Sequence, residues 1–400
     1  MPADSATRGQ QALRSANRAL LLGVLREGPA SRAALARATR LSSTTVSSLV
    51  AELAGAGVVE IADGSGAGTA GGRTGRPGRL VRLAPDRGVV MGLDLSYDGV
   101  RGAVGDFDHR VLAESERLFP APLEADAEDV GPLAGLVEGV VSEAVAASGV
   151  PVERLARVVV GVPGVVDPVT ASAVSTRAPW WSGVTVAKVV TETLGRDLPV
   201  SVENDADLLT VGEAQHGAAQ GMADVLGLDA SSGVGLGVLL DGRLHRGFRG
   251  GAGEIGHVQV VEGGGFCVCG NRGCLETVAS LDHVLGELRA VHGEAARTRE
   301  DLERLVGRGD RAAVRAVSDA GALIGKVVAD ACTLLAPQAV VVSGSLAAGG
   351  TVLSDAVQAA VQRYTTPRSG HPVRVLQNSL GDRAVVLGAL ALAAEAAMTL

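Results

Sequence analysis

The chain has 400 residues, of which 46% are hydrophobic, 20% charged and only 2% aromatic. That length suits two or three domains with real cores, and no apolar run approaches the ~18 residues of a membrane-spanning helix. A transmembrane, secreted or fibrous protein is not expected on these grounds, and Met1-Pro2-Ala3-Asp4-Ser5 does not show the basic-then-apolar pattern of a signal peptide.

The net charge of −8 is unevenly spread: residues 1–88 carry twelve arginines and no lysine against six acids, so a +6 head precedes a −14 body. Such a split fits a nucleic-acid-binding module joined to something else, the alternative being uneven surface charge with no partner. Helical spacing of Leu13, Ala16, Leu20, Leu21, Val24 and Leu25 predicts a helix over 11–27, stopped by Gly28-Pro29. Ser31 reads as the N-cap of a short helix from Arg32 to Ala38, and Ser42 or Ser43 caps a third helix to about Ala54. Strands at Val58–Ile61 and Leu80–Leu83 then flank a loop rich in Gly, Ser and Thr. Helix, short helix, turn (Thr39-Arg40-Leu41), helix and β-hairpin is the order of a winged helix-turn-helix, which predicts a double-stranded DNA partner. Ser43, Thr44, Thr45, Ser47 and Ser48 would face the major groove and Arg40 is a further candidate for DNA contact, while Arg73 and Arg76, set among glycines in the presumed wing, suit a narrow minor groove. A flexible Gly/Arg linker touching nothing is the alternative for the wing.

From Gly88 strands alternate with helices. A hairpin is expected at Val89–Leu95 and Gly99–Asp106, turned by Asp98-Gly99. A helix at about 127–148, a strand at Arg157–Val162, a helix at Val186–Leu194 and a strand at Val200–Glu203 follow. Further strands are expected at 224–228, 234–240 and 256–261, then a helical region over 279–335, a strand at Ala339–Val342 and a last helix at 382–398. This pattern predicts an α/β body of two lobes, with no internal repeat at a period of 20 to 50 residues. The expected boundaries are 1–86 for the head and 87–400 for the body, with lobe one over about 87–200 plus 383–400 and lobe two over about 201–382.

The strongest chemical signal is His257 followed by Cys267-Val268-Cys269-Gly270-Asn271-Arg272-Gly273-Cys274. One imidazole and three thiolates are a complete tetrahedral set for Zn2+, with no open position, so the ion would be structural. Reduced cysteines without a metal are the alternative. Glu254 and Glu276 flank these ligands, and Asn204-Asp205 follows a strand at the end where open α/β sheets bind ligands. Carboxylates, an amide and an imidazole suit a polyhydroxylated ligand.

Glu254-Ile255-Gly256-His257 with the Cys-x-Cys-Gly-x-x-Gly-Cys-x-Glu run at 267–276 resembles the ROK family of sugar kinases and sugar-responsive repressors. Gly161-Val162-Pro163-Gly164, Trp181-Ser182-Gly183, Glu203-Asn204-Asp205 and Gly233-Val234-Gly235-Leu236-Gly237 continue the pattern over roughly 88–400. The resemblance implies an actin-like, ribonuclease-H-type ATPase fold around a sugar cleft. It implies that Asn204, Asp205, Glu254, His257 and Glu276 contact the sugar, that His257, Cys267, Cys269 and Cys274 hold zinc, and that a homodimer or homotetramer forms in the cytoplasm. Asp205 would be the general base only in a kinase. Family kinases carry Asp-x-Gly-Gly-Thr on the first hairpin, whereas this chain has Asp94-Leu95-Ser96-Tyr97-Asp98, with a bulky ring and an extra negative charge where backbone must meet phosphate. Ser231-Ser232 and Ser343-Gly344-Ser345 depart less from the pattern. ATP and Mg2+ are therefore not expected as ligands. The expectation is a sugar-responsive DNA-binding regulator, a repressor in the sense usual for the family, with a sugar kinase bearing an appended DNA-binding head as the alternative.

Overall fold

The computed structural model describes residues 14, 17–25, 28–55, 57–62, 79–84, 88–119, 131–170, 172–174, 186–365 and 372–398. In the head, helix α1 (17–25) buries Leu21, Leu22 and Leu25. Strand β1 (Ala30–Ser31) leads into α2 (Arg32–Thr39), where the Ser31 Oγ accepts from the Ala34 N–H at 3.2 Å as an N-cap. Thr39 closes this helix with its hydroxyl on the Leu35 carbonyl, and Arg40 takes a left-handed φ of 58°, so the turn is 40–42 rather than 39–41. Helix α3 (Ser43–Gly55) buries Val46, Leu49, Val50 and Leu53, the stripe its spacing predicts. Strands β2 (Val59–Ala62) and β3 (Leu80–Leu83) complete an antiparallel sheet of order β1-β3-β2. This is a winged helix-turn-helix. Arg73 and Arg76 lie outside the described residues.

The body begins with β4 (Val89–Leu95), β5 (Gly99–Gly105) and β6 (Val111–Leu118), followed by α4 (Gly131–Ser148) and β7 (Leu155–Val162). The short β8 (Val165–Val166) and β9 (Ala173–Val174) precede α5 (Val186–Leu194) and β10 (Val200–Asn204). Helix α6 (Asp205–His216) carries the chain to β11 (Val225–Ala230), β12 (Val234–Leu240) and β13 (Arg243–Leu244). Then come α7 (Glu276–Ala279), α8 (Leu281–His292), α9 (Arg299–Gly307), α10 (Arg311–Leu335), β14 (Ala339–Ser343), α11 (Val352–Tyr364), β15 (Arg374–Gln377) and α12 (Ala384–Met398).

Two five-stranded sheets result, ordered β10-β7-β4-β5-β6 and β13-β12-β11-β14-β15. Each has three antiparallel strands extended by two parallel ones, so the lobes repeat one topology although no repeat is visible in the sequence. The helix after each sheet's last strand leaves its own lobe: α6 packs on β11 and β12, while α12 packs back on β4 and β7. These two helices cross where Gly212 meets Ala384 and Gly388 meets the Leu208 carbonyl. A Cβ on Gly388 would lie 1.9 Å from that oxygen, so only glycine allows the approach.

One expected strand is absent. Residues 256–261 form a single helical turn, Ile255–His257, and an isolated bridge from Gln259 to Cys274. The cause is a tertiary contact: Gly253, at φ +83°, and Gly256 press against the Leu236 and Val234 carbonyls of β12, which bends the chain off an extended path. Strands β6 and β15 and helices α6 and α11 add to the expected elements.

Candidate functional site

The loop between β13 and α7 gathers His257, Cys267, Cys269 and Cys274, whose ligand atoms all lie within 4.8 Å of one another. Cys267 Sγ is 3.5 Å from His257 Nδ1, and Cys269 Sγ is 3.7 Å from Cys274 Sγ. All three thiols are free, and Gly273, at φ +65°, lies so near the Val261 carbonyl that any side chain there would collide. Without a cation burial pushes the Cys274 thiol up to about 12, while the Asn271 backbone holds Cys269 below its ordinary value. The four residues could hold a metal ion.

The metal-type loop abuts a carboxylate cleft. His257 turns its other nitrogen, Nε2, to Glu254 Oε2 at 3.7 Å, so the imidazole stands between the thiols and the cleft. Burial raises the Glu254 carboxyl, as does Glu276, and His257 opposes both. Glu276 opens α7 and is itself buried, its Oε2 facing the backbone of Gly256 and Gly233. Asn204 ends β10, where its Oδ1 caps α6 through the Asp207 N–H at 3.0 Å and its Nδ2 donates to the Gly164 carbonyl at 2.9 Å. That leaves one amide N–H of Asn204 for a ligand. Asp205 starts α6, and its carboxyl is held well above the usual range by burial and by the nearby Asp229. Asp205, Glu254, His257 and Glu276 thus share one electrostatic neighbourhood, an acidic cluster suited to accepting hydroxyl hydrogens.

Behind this cluster lies a residue that sequence reasoning missed. Arg246 donates from Nε and Nη2 to the two carboxylate oxygens of Glu203, each at 2.7 Å. The pair joins β10 of one sheet to the segment after β13 of the other, directly beside Asn204 and Asp205. An arginine amid glycines gives little local signal, because its partner lies 43 residues away.

The opposite side of the cleft carries the segment Asp94–Asp98. Asp94 is buried, and its carboxyl is pushed up to about 7 by desolvation, against the pull of Arg101. Arg101 reaches Asp94 at 3.7 Å and Glu116 at 2.7 Å. Tyr97 and Asp98 sit at the hairpin tip, and Asp98 acts electrostatically on Arg299 of α9.

In the head, Ser43, Thr44 and Ser47 are exposed at the start of α3. Thr45 is half-buried, its backbone N–H donating to Ser42 Oγ at 3.1 Å and its hydroxyl lying 2.8 Å from that oxygen, so Ser42 is the N-cap of α3. Among the described residues no helix is long and apolar enough to cross a membrane.

Comparison with known proteins places these features. The chain is 28% identical to the xylose repressor of Bacillus subtilis over 383 residues, covering 95% of each chain, head included. Its fold matches the crystal structure of a ROK family transcriptional regulator, a homolog of the E. coli MLC protein, with a TM-score of 0.75 over 97% of both chains at 20% identity. A ROK hexokinase from Thermus thermophilus is matched at 30% identity and a TM-score of 0.62, over 97% of its own chain but 76% of this one. The ROK family pattern itself spans residues 90–396, and the chain is a member of the ROK family.

Proposed function

We propose that this protein is a sugar-responsive transcriptional repressor, binding operator DNA through its head and a sugar in the cleft of its body. One observation carries the reading: similarity to a xylose repressor runs through the winged helix as well as the body, whereas the hexokinase leaves the head unmatched. Ser43, Thr44, Thr45 and Ser47, with Arg40, Arg73 and Arg76, are the residues assigned to DNA. Hydroxyls give modest base discrimination, so arginine–phosphate contacts supply most of the affinity. Asn204, Asp205, Glu254, His257 and Glu276 are assigned to the sugar hydroxyls. The protein acts in the cytoplasm as a homodimer or homotetramer, whose paired heads read half-sites spaced by whole helical turns.

Zinc is the metal assigned to His257, Cys267, Cys269 and Cys274. Tetrahedral coordination at about 2.3 Å per sulfur sets neighbouring sulfurs roughly 3.7–3.8 Å apart, which the 3.7 Å between Cys269 and Cys274 fits. Bound there, zinc would supply rigidity and no open coordination position. His257 through Nδ1 and the three thiolates would hold it, while Nε2 keeps Glu254 in place.

The sugar switches the head only if it binds two global arrangements with different affinity. The test is a mobility shift of DNA upstream of its own gene, run with D-xylose, D-glucose or no sugar. Retardation that one sugar relieves is the expected result; no retardation at low salt sinks the reading. The kinase reading is tested by ADP release with the same sugars, and turnover abolished by Asp205→Asn would establish it. Against it stand Tyr97 and Asp98 in the first hairpin and the engagement of Asp94 by Arg101.

A further inference from the structure

The chain passes between lobes at two places, and each is marked by an acid. Glu203 precedes α6 and is gripped by Arg246 from the second lobe. Asp382, in the turn Gly381–Arg383 that precedes α12, receives Arg299 Nη2 at 3.0 Å and lies 4.0 Å from Arg101. Arg101 belongs to β5 of the first lobe. Arg299 opens α9, whose Leu302, Leu305 and Val306 are part of the second lobe's core. Asp382 therefore stands between two guanidiniums anchored in opposite lobes. The next residue, Arg383, adds a bond from Nε to Glu114 of β6 at 3.0 Å, fixing the same turn to the first lobe.

The position of this chain of charges matters. Arg101 also touches Asp94, the acid that begins the segment corresponding to the first phosphate loop of family kinases. Asp98 at the tip of that loop and Asp229 at the end of β11 both lie within electrostatic reach of Arg299. An incoming polyphosphate would meet four carboxylates, Asp94, Asp98, Asp229 and Asp382, while the guanidiniums that could receive it are already engaged. The side chains of Arg101 and Arg299 are 15% and 28% exposed and that of Asp382 49%, so water screens these contacts in part.

We propose that Arg101, Asp382 and Arg299 form an inter-lobe clasp across the nucleotide side of the cleft, holding the lobes in register without a nucleotide. The clasp rests on the regulator reading of the cleft and gives it a physical basis: protein charges span the gap where a kinase would hold phosphates. The sugar side then closes against a hinge that is already tied.

The test is hydrogen exchange of the full-length protein, read by mass spectrometry without any sugar. Arg299→Ala removes the second-lobe end of the clasp. The amides of 96–101, in the other lobe, should then exchange about two- to fivefold faster, the range of a partly screened ion pair. Raising NaCl from ~0.1 M to ~1 M, which shortens the Debye length from about 10 Å to about 3 Å, should bring the wild type to the same rate and add nothing in the variant. Asp382→Asn, which keeps the side-chain shape, should reproduce Arg299→Ala, and Arg299→Lys should recover part of the protection. Acceleration confined to residues near 299, or wild-type exchange at 96–101 indifferent to salt, would overturn the clasp. Slowing of those amides by MgATP would overturn it too, in favour of the kinase. Loss of operator or sugar binding would instead sink the regulator reading and leave these exchange rates where they are.

Discussion

Replacing Arg246 by alanine removes both hydrogen bonds to Glu203 and strands a carboxylate whose side chain is only 14% exposed. An exposed ion pair contributes at most ~1 kcal/mol, and breaking a fully buried one costs ~3–5 kcal/mol. Arg246 is 30% exposed, so the expected loss lies between, at about 2–3 kcal/mol. A second effect sets the pH dependence. Burial pushes Asp207 up to about 7, and Arg246 is the group that pulls it down, so the variant holds the Asp207 proton more tightly. A proton bound more tightly in the folded state recovers stability as pH falls. The deficit of Arg246→Ala should therefore be largest near pH 8 and shrink toward pH 5.5. Arg246→Lys keeps the charge but not the two-pronged geometry and should recover about half of the loss. Urea unfolding at both pH values, followed by circular dichroism, measures the differences. A deficit below ~0.5 kcal/mol at pH 8, well under the ~1 kcal/mol of a surface pair, or one that grows as pH falls, would refute the reasoning.

Asp94 provides a second pH test. Its folded-state value of about 7 stands above that of an unfolded aspartate, so it costs stability as pH rises from ~4 to ~7, at up to ~1.4 kcal/mol per unit. Asp94→Asn should lack that decline, and a wild-type-minus-variant difference that stays flat over this range in chemical denaturation would contradict it. Cys274→Ser should lower metal content, measured by atomic emission, from about one zinc per chain to near zero and reduce the melting temperature, because structural zinc contributes folding energy directly. An unchanged metal content would show that the four residues hold no ion. Arg76→Ala should reduce the slope of log K against log salt for operator binding by about one, if that arginine meets a phosphate; an identical slope in filter binding removes it from the interface.

What was legible in the sequence was local. Helix α5 has its expected bounds, Val186–Leu194, because its apolar spacing and flanks lie within one short window. The same holds for the His257–Cys274 cluster, whose ligands are close in sequence and need only glycine turns to converge. Residues 256–261 misled because Val258 and Val260 alternate with polar neighbours. The decisive fact was the approach of Gly253 and Gly256 to β12, which no window around them contains. Helix α6 is buried from Ala206 to Glu213 on nearly every side, so it presents no stripe for periodicity to find. The inter-lobe ties were invisible for a related reason. Arg101 and Asp382 are neighbours only because two sheets of the same topology meet through helices exchanged between them.

That exchange has a consequence for how the head is held. Helix α12 starts at the turn containing Asp382 and Arg383, crosses α6 at Gly388, and runs along the first sheet. Along its length, from Val386 to Met398, it belongs to one continuous apolar core with Leu208 of α6, with Phe107 and with Leu21, Leu25, Leu49 and Val81 of the head. Close-packed interiors transmit displacement because side chains have few voids into which to yield. The head therefore shares one apolar core with the element whose other end lies at the hinge, and the glycine crossing leaves that element no soft layer against α6. A change in lobe angle that moves the start of α12 has a packed route to the winged helix, one that the acidic cleft reaches through Asp205 at the start of α6.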